Sequence, residues 1–357
     1  AMRQVGNTAA LNVIRKAFAG RSYYTSEAMA DVRVELGLPA NLLTEAELAI
    51  TADGKTLAAL TGLQPELTVN VPVSELAMGD NPVQARIKLA GQELAVAPLN
   101  LIRLEPRPGY ETKADFIKGV VLKDNQPYFP IGLFGHTLQC RLGVNGSTED
   151  DEDLFRFLAE DIGLNTIVRT RQSTNTVTFM NLAEKYGLNV ITWTSPQPEP
   201  IGWKPGTWPP PPCDLPLAER LAIQQKEYDA EEPKVIADTK ILRDYKNFIA
   251  YYNVDEPNLV NPEERIAGAE RYWNTVTPLD PYRPKLLFYA RHIPHGDNWT
   301  RWGDILGYDV YPGAYTGGFH SEPGQSTAWY AYNLRERCRQ DNKIMWFVPL
   351  ANQLDPA

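Results

Sequence analysis

The chain has 357 residues, of which 43% are hydrophobic, 22% charged and 10% aromatic, a core-forming globular composition and not a disordered one. Its 44 acidic side chains against 35 basic ones give a formal charge of -9, which argues against nucleic acid or an anionic membrane surface as partner. No apolar run reaches the roughly 20 residues that cross a bilayer, so no membrane span is expected.

Residues 1–30 form an N-terminal segment with no assigned structure, in which Leu11, Ile14 and Phe18 have a loose helical spacing. No basic stretch leads there into an apolar core and a small-residue cleavage site, so no signal peptide is read. Ala1-Met2 reads as a cloning scar. Localisation therefore stays unknown, with export or cell-surface display after removal of a leader left open. From residue 31 the period becomes two: Val32, Val34 and Leu36, then Leu67, Val69, Val71 and Val73, alternate with polar neighbours. Asp53-Gly54 is a two-residue hairpin signal, because both residues tolerate positive φ. Val83, Ala85, Ile87 and Leu89, then Leu94, Val96 and Leu99, continue the pattern, predicting an antiparallel β-sandwich accessory domain over residues 31–108. Pro106-Arg107-Pro108-Gly109 marks its end.

Over residues 109–357 apolar strand runs alternate with helical stretches. Tyr128–Gly135 reads as the first buried strand, after a hairpin turn at Asp124-Asn125. Thr166–Thr170, Asn189–Trp193, Ile249–Val254, Lys285–Ala290, Asp304–Val310 and Lys343–Leu350 follow as strands two to seven. Helices are expected over Leu154–Ile162, Val177–Tyr186, Leu217–Asn247 and Pro262–Thr275. No glycine-rich phosphate loop follows any strand, which favours a TIM-type (β/α)8 barrel over a nucleotide-binding open sheet. Seven strands are visible, so the barrel reads as incomplete at its C-terminal end, unless a strand escapes the pattern or an early segment closes the ring. The fold class expected is thus α/β, a sandwich followed by a barrel.

In such a barrel the chemistry sits where strands end at their C-termini. All four histidines fall there: His136 after strand one, His292 and His295 after strand five, and His320 after strand six. His292 and His295 are spaced three apart around Pro294 with Asp297 as the nearest acid, which suits a loop or sugar contact better than a metal pair, so no metal is expected. A divalent-metal hydrolase built on His136, His292 and Asp309 remains a third functional reading. Cys140, Cys213 and Cys338 are too few and scattered for a disulfide scaffold or a zinc site. After strand three come Trp193, Trp203 and Trp208 with the run Pro209–Pro212, flat aromatic faces on a stiffened loop that suit pyranose rings. No cofactor is called for.

The strongest local signal is Tyr251-Tyr252-Asn253-Val254-Asp255-Glu256-Pro257, an apolar strand that delivers two adjacent carboxylates. Successive strand residues point to opposite faces, so Asp255 and Glu256 do not work as a pair on one substrate, and a second carboxylate has to come from another strand. Asp309, in Gly307-Tyr308-Asp309-Val310-Tyr311-Pro312, is the candidate, either as second carboxylate or as an orienting group. Arg169, Asn253, Asp255, Tyr289 and Tyr311 complete the expected substrate-binding set with His136, Trp193, Trp203, Trp208 and His292.

The run Val120-Val121-Leu122-Lys123-Asp124-Asn125-Gln126-Pro127-Tyr128-Phe129-Pro130-Ile131-Gly132 and the run Asn253-Val254-Asp255-Glu256-Pro257 together resemble the clan A (β/α)8 glycoside hydrolases over residues 115–357. The sandwich ahead of them looks like the accessory domain that often precedes such barrels. The resemblance implies that Glu256, ending strand four, is the acid/base, and that a glutamate ends strand seven as nucleophile. Asn352 and Gln353 occupy that second region here. The expected function is a glycosidase acting on an oligo- or polysaccharide, with a catalytically inactive glycan-binding barrel as the alternative. Oligomeric state is not legible.

Overall fold

The structure, a computed structural model, describes residues 12–135, 152–169, 176–192, 215–255, 262–289, 293, 300–310 and 327–349. The chain divides into two compact units, Ala1–Arg107 with Asp115–Lys118, and Pro108–Ala114 with Gly119–Ala357.

The first unit holds β1 (Ile14–Ala19), β2 (Met29–Leu36), the short helix α1 (Ala40–Leu43), β3 (Ala46–Ala52), β4 (Lys55–Thr61), β5 (Glu66–Pro72), β6 (Gly79–Leu89) and β7 (Gln92–Arg103). They form two antiparallel sheets, ordered β1-β2-β5 and β4-β3-β6-β7. Alternation explains the burial: Ala30, Val32, Val34 and Leu36 of β2 turn inward with Val69 and Val71 of β5, and share one core with Leu48, Ile50, Val83, Ala85 and Ile87. Asp53 and Gly54 take φ of 46° and 80°, the double left-handed turn that matches strand twist in a tight hairpin. The helical spacing around Ile14 does not produce a helix. Ile14–Ala19 is a strand paired antiparallel with β2, because ladder hydrogen bonds and a shared core override a loose three-to-four spacing.

β8 (Thr112–Asp115, whose last residue falls in the first unit), β9 (Val120–Lys123) and β10 (Gln126–Tyr128) form a small sheet, with Asp124 and Asn125 at φ 49° and 62° in the β9–β10 turn. Then follow β11 (Gly132–Gly135), α2 (Glu152–Arg156, continued by a π-helical turn over Phe157–Asp161), β12 (Thr166–Arg169), α3 (Thr176–Lys185), β13 (Asn189–Thr192), α4 (Leu217–Leu242), β14 (Phe248–Asp255), α5 (Pro262–Val276), β15 (Lys285–Tyr289), β16 (Ile305–Val310), α6 (Thr327–Asp341) and β17 (Ile344–Pro349). β11 to β17 make one parallel sheet in chain order, curled into a half-barrel. Among the described residues its two edges, β11 and β17, are not joined, so a complete ring is not present.

Two differences from expectation have local causes. The run Tyr128–Gly135 is not one strand. Its first residue belongs to the β9–β10 hairpin, Pro130 offers no N–H to a ladder, and Phe129 and Ile131 beside it are exposed before β11 begins. Helix α6 has no expected counterpart, because its sequence is polar and charged with little apolar periodicity.

The sheet is buried on both faces. One face meets the helices: Ile167, Val190, Tyr251, Leu287, Tyr289, Leu306 and Tyr308 share a cluster with Phe155, Phe179, Met180, Val235, Trp273, Tyr330 and Leu334. By alternation Val168, Ile191, Tyr252, Leu286, Phe288 and Ile305 take the other face, and all are buried. At the N-terminal end of the sheet the polar groups satisfy one another. Tyr128 Oη lies 2.5 Å from Thr166 Oγ1 and accepts from Asn189 Nδ2 at 3.0 Å, and Lys123 Nζ donates to Asn189 Oδ1 at 2.6 Å. Among the described residues no helix is long and apolar enough to cross a membrane.

Candidate active site

Strand register fixes which residues reach the C-terminal edge together. Across the sheet Asp255 pairs with Phe288, Phe288 with Gly307 and Gly307 with Trp346, so these four share one level. One residue further on, Tyr289 pairs with Tyr308 and Tyr308 with Phe347. Asp309 stands one step beyond, opposite Val348. On the other side Gly135, Arg169 and Thr192 are aligned as the last residues of β11, β12 and β13. The backbone positions of Arg169, Asn253, Asp255, Tyr289 and Asp309 therefore all fall at the end of the sheet where a parallel barrel carries its chemistry. Asp255 is the last residue of β14, and the chain passes from it directly into Glu256-Pro257.

Glu256, His136, Trp193, Trp203, Trp208, His292 and Tyr311 lie outside the described residues, as do His295, His320, Asp297, Asn352, Gln353, Cys140 and Cys213.

Of the expected binding residues, Arg169 and Tyr289 can be followed to their side chains, and both turn toward the helices. Arg169 shares a face with Ile167; its guanidinium is buried 4.7 Å over the Phe179 ring of α3. There it acts on Asp238 of α4, whose carboxyl is pushed up by burial while Lys234 and Arg169 pull it back. Tyr289 is fully buried in the helix-side cluster, and burial drives its hydroxyl far above the ordinary tyrosine range. The described contacts of both stand in the strand–helix layer, since each falls on the outward beat of its strand.

The opposite face carries residues the sequence reading passed over. The Phe288 and Tyr252 rings meet edge to face at 5.3 Å, both fully buried, with Tyr252 of β14 paired to Leu286, two residues before Phe288 on β15. Phe288 also lies across Gly307: a Cβ built there would stand 2.1 Å from ring atoms Cδ1 and Cε1. A glycine is required by close approach and not by a turn. The signal was available, since a glycine inside an apolar strand marks such an approach. Phe288 shares the level of Asp255 and Tyr252 lies below it, so the two buried rings pack beneath the strand ends.

Two features hold β14 in place behind that floor. Tyr251 Oη donates to Asp280 Oδ2 at 2.9 Å in a fully buried bond, and Asp280 Oδ1 accepts from the Tyr282 backbone N–H at 3.2 Å. Register shifts beside Val190 and beside Tyr252 show bulges on β14, the second lying at Asn253. A bulge next to a strand end re-aims the residues after it. Among the described residues no three histidine, cysteine, aspartate or glutamate side chains converge as a metal site.

No protein-family model matches the chain, and no curated protein matches it. Among solved structures it is similar to a β-D-glucuronidase of Dictyoglomus thermophilum (14% identity, TM-score 0.48, 96% of this chain and 57% of that one). It is also similar to a GH2 β-galacturonidase from Eisenbergiella tayi bound to galacturonate (13% identity, TM-score 0.45, 93% and 56%) and to a glycosyl hydrolase family 2 member from Bacteroides cellulosilyticus (16% identity, TM-score 0.40, 94% and 45%). The chain spans about half the length of each of these structures.

Proposed function

We propose that the protein is a glycoside hydrolase with a β-sandwich ahead of a (β/α) barrel. Glu256 is its general acid. The observation that carries this reading is the exit of β14: a curled parallel sheet brings Asp255 to its C-terminal edge, and Glu256-Pro257 comes immediately after. In this reading enclosure of Glu256 raises its pKa and keeps it protonated for donation to a glycosidic oxygen.

Asp309 supplies the second carboxylate. β14 and β16 are two strands apart, and Asp309 stands two residues beyond the level of Asp255. With strands about 4.8 Å apart and a rise of about 3.3 Å per residue, their backbones are roughly 12 Å apart along a flat sheet, and curling shortens this. Glu256 follows Asp255 by one residue, and in this reading its carboxyl and that of Asp309 stand about 6.5–9.5 Å apart, the separation that leaves room for water in an inverting hydrolysis. Asp309 then acts as base on water while Glu256 protonates the departing oxygen. Trp193, Trp203, Trp208 and Tyr311 serve as stacking faces for sugar rings, and His136, His292, Asn253 and Asp255 as hydrogen-bonding partners for their hydroxyls. The substrate class is an oligo- or polysaccharide.

The test is the anomer of the first product, followed by NMR on a panel of glycosides. The opposite configuration to the substrate is expected, and retained configuration removes Asp309 as base. A glycan-binding barrel without turnover is the second reading, favoured by Asn352 and Gln353 standing where the resemblance expects a glutamate. Glycan binding with no hydrolysis by the wild-type chain would select it.

A further inference from the structure

α4 and α5 run side by side in the same direction, and polar groups face each other along their contact. In the first turns Arg220 of α4 and Glu264 of α5 form an ion pair. Two turns further along, Tyr228 Oη lies 2.7 Å from Thr275 Oγ1 and 3.2 Å from the Arg271 carbonyl oxygen, and Thr275 Oγ1 donates to Glu232 Oε1 at 2.8 Å. The facing stripe of α4 is thus Arg220, Gln224 and Tyr228, and that of α5 is Glu264, Gly268, Arg271 and Thr275. Steps of three and four are those of a single helix face. Gln224 stands between the two joined levels. The α5 residue at its level is Gly268, four positions after Glu264 as Gln224 is after Arg220, and it has no side chain to offer.

At this intermediate level the polar groups are not satisfied by one another. Gln224 is 5% exposed, and its Oε1 has no hydrogen bond among the described residues. Glu264 is 1% exposed. Arg220 Nε stands against its Oε1 as an ion pair, but neither carboxylate oxygen makes a hydrogen bond among the described residues. Arg271 Nη1 is enclosed without one as well, and the charge of that guanidinium is felt at the Tyr228 hydroxyl, one turn beyond Gln224. Helical side chains lean toward their own N-terminus, so Gln224 and Arg271 both reach back toward Glu264. Two acceptors and one donor therefore face one short stretch of the seam. A buried polar group without a partner is destabilising, and native interiors rarely leave several together.

We propose that one water molecule is built into the α4–α5 seam at the level of Gln224 and Gly268. It donates to Gln224 Oε1 and to Glu264 Oε2, and it accepts from Arg271 Nη1. Three hydrogen bonds are what a buried water ordinarily makes, and these use both of its protons. A metal cation does not suit a set that includes a guanidinium, and an anion does not suit the Glu264 carboxylate. The water gives Glu264 the hydrogen bond that a buried carboxylate needs in addition to an ion pair if it is to stay charged. Glycine at position 268 keeps a methyl group out of the water's place. The proposal is independent of the role given to Glu256.

The experiment is a crystal structure of the full chain together with urea unfolding of Gln224→Met, Arg271→Met and the double variant. A density peak is expected about 2.7–3.2 Å from Gln224 Oε1, Glu264 Oε2 and Arg271 Nη1, and it should be lost in Gln224→Met. That substitution takes one partner from the water and leaves Glu264 short of a hydrogen bond, so the unfolding constant should rise about five- to thirtyfold. A dry seam has the opposite sign: methionine would delete an orphaned acceptor, and the unfolding constant would fall. Because both substitutions act through one guest, the second should cost less in the double variant than it does alone. The proposal is overturned by any of four results: no peak at this level, Gln224 bonded directly to Glu264 or Arg271, a Gln224→Met protein at least as stable as wild type, or losses that simply add.

Discussion

Gly307→Ala tests the packing that underlies the strand ends. The added methyl would stand 2.1 Å from Cδ1 and Cε1 of Phe288, where ordinary carbon contacts lie at about 3.5–4.0 Å. The ring must therefore retreat by roughly 1.5 Å or more. It has little room: Phe288 is 1% exposed and its edge already meets Tyr252, which is fully buried. Overpacking of this kind costs about 1–3 kcal/mol. For a unit of this size that lowers the melting temperature by about 2–4 °C per kcal/mol. Because Phe288 pairs with Asp255, the strain enters the sheet at the candidate site, and turnover should fall along with stability. Denaturant unfolding measures the loss, and Phe288→Leu in the Gly307→Ala background should recover most of it by making space. A Gly307→Ala protein within about 0.5 kcal/mol of wild type would refute the packing argument.

Tyr251→Phe leaves Asp280 without its buried donor and should cost about 1–3 kcal/mol in urea unfolding, whereas Asp280→Asn, which can still accept from Tyr251, should cost less. Arg169→Met should lower stability and leave KM for glycosides unchanged, since the guanidinium packs on Phe179; a raised KM at unchanged stability would return it to the substrate site. Burial pushes the Cys338 thiol from 9.0 up to about 12. Its contribution to stability is full below pH 9 and is lost as the pH climbs toward 12, because the unfolded thiol ionises first. Buried Tyr251, Tyr289 and Tyr308 shift the same way, so unfolding midpoints should fall steadily through that alkaline window, and Cys338 should resist thiol reagents at pH 8 until the chain unfolds.

Much of the second unit was legible. Strands at Thr166, Asn189, Lys285 and Ile305 announce themselves as short apolar runs, and Pro262 opens a helix as its fixed φ favours. What the sequence conceals is which way each strand residue faces. A parallel sheet covered on both sides carries no polar–apolar alternation, so Arg169 and Tyr289 looked as available to a ligand as any strand-end residue. Bulges on β14 add to this, since each resets the parity of the residues beyond it. Arg220 and Glu264 are 44 positions apart and meet only because two helices run parallel, a relation no local pattern encodes. In the first unit the alternating strands were plain, while β1 was masked by a spacing that suits either helix or sheet.

The central claim is that Glu256 donates a proton to the departing oxygen, and its most direct test is how Glu256→Gln depends on the leaving group. Loss of a general acid should lower turnover about 10²- to 10⁴-fold on unactivated glycosides, and far less on dinitrophenyl glycosides whose leaving group needs no proton. Equal losses on both, or none on either, would contradict it.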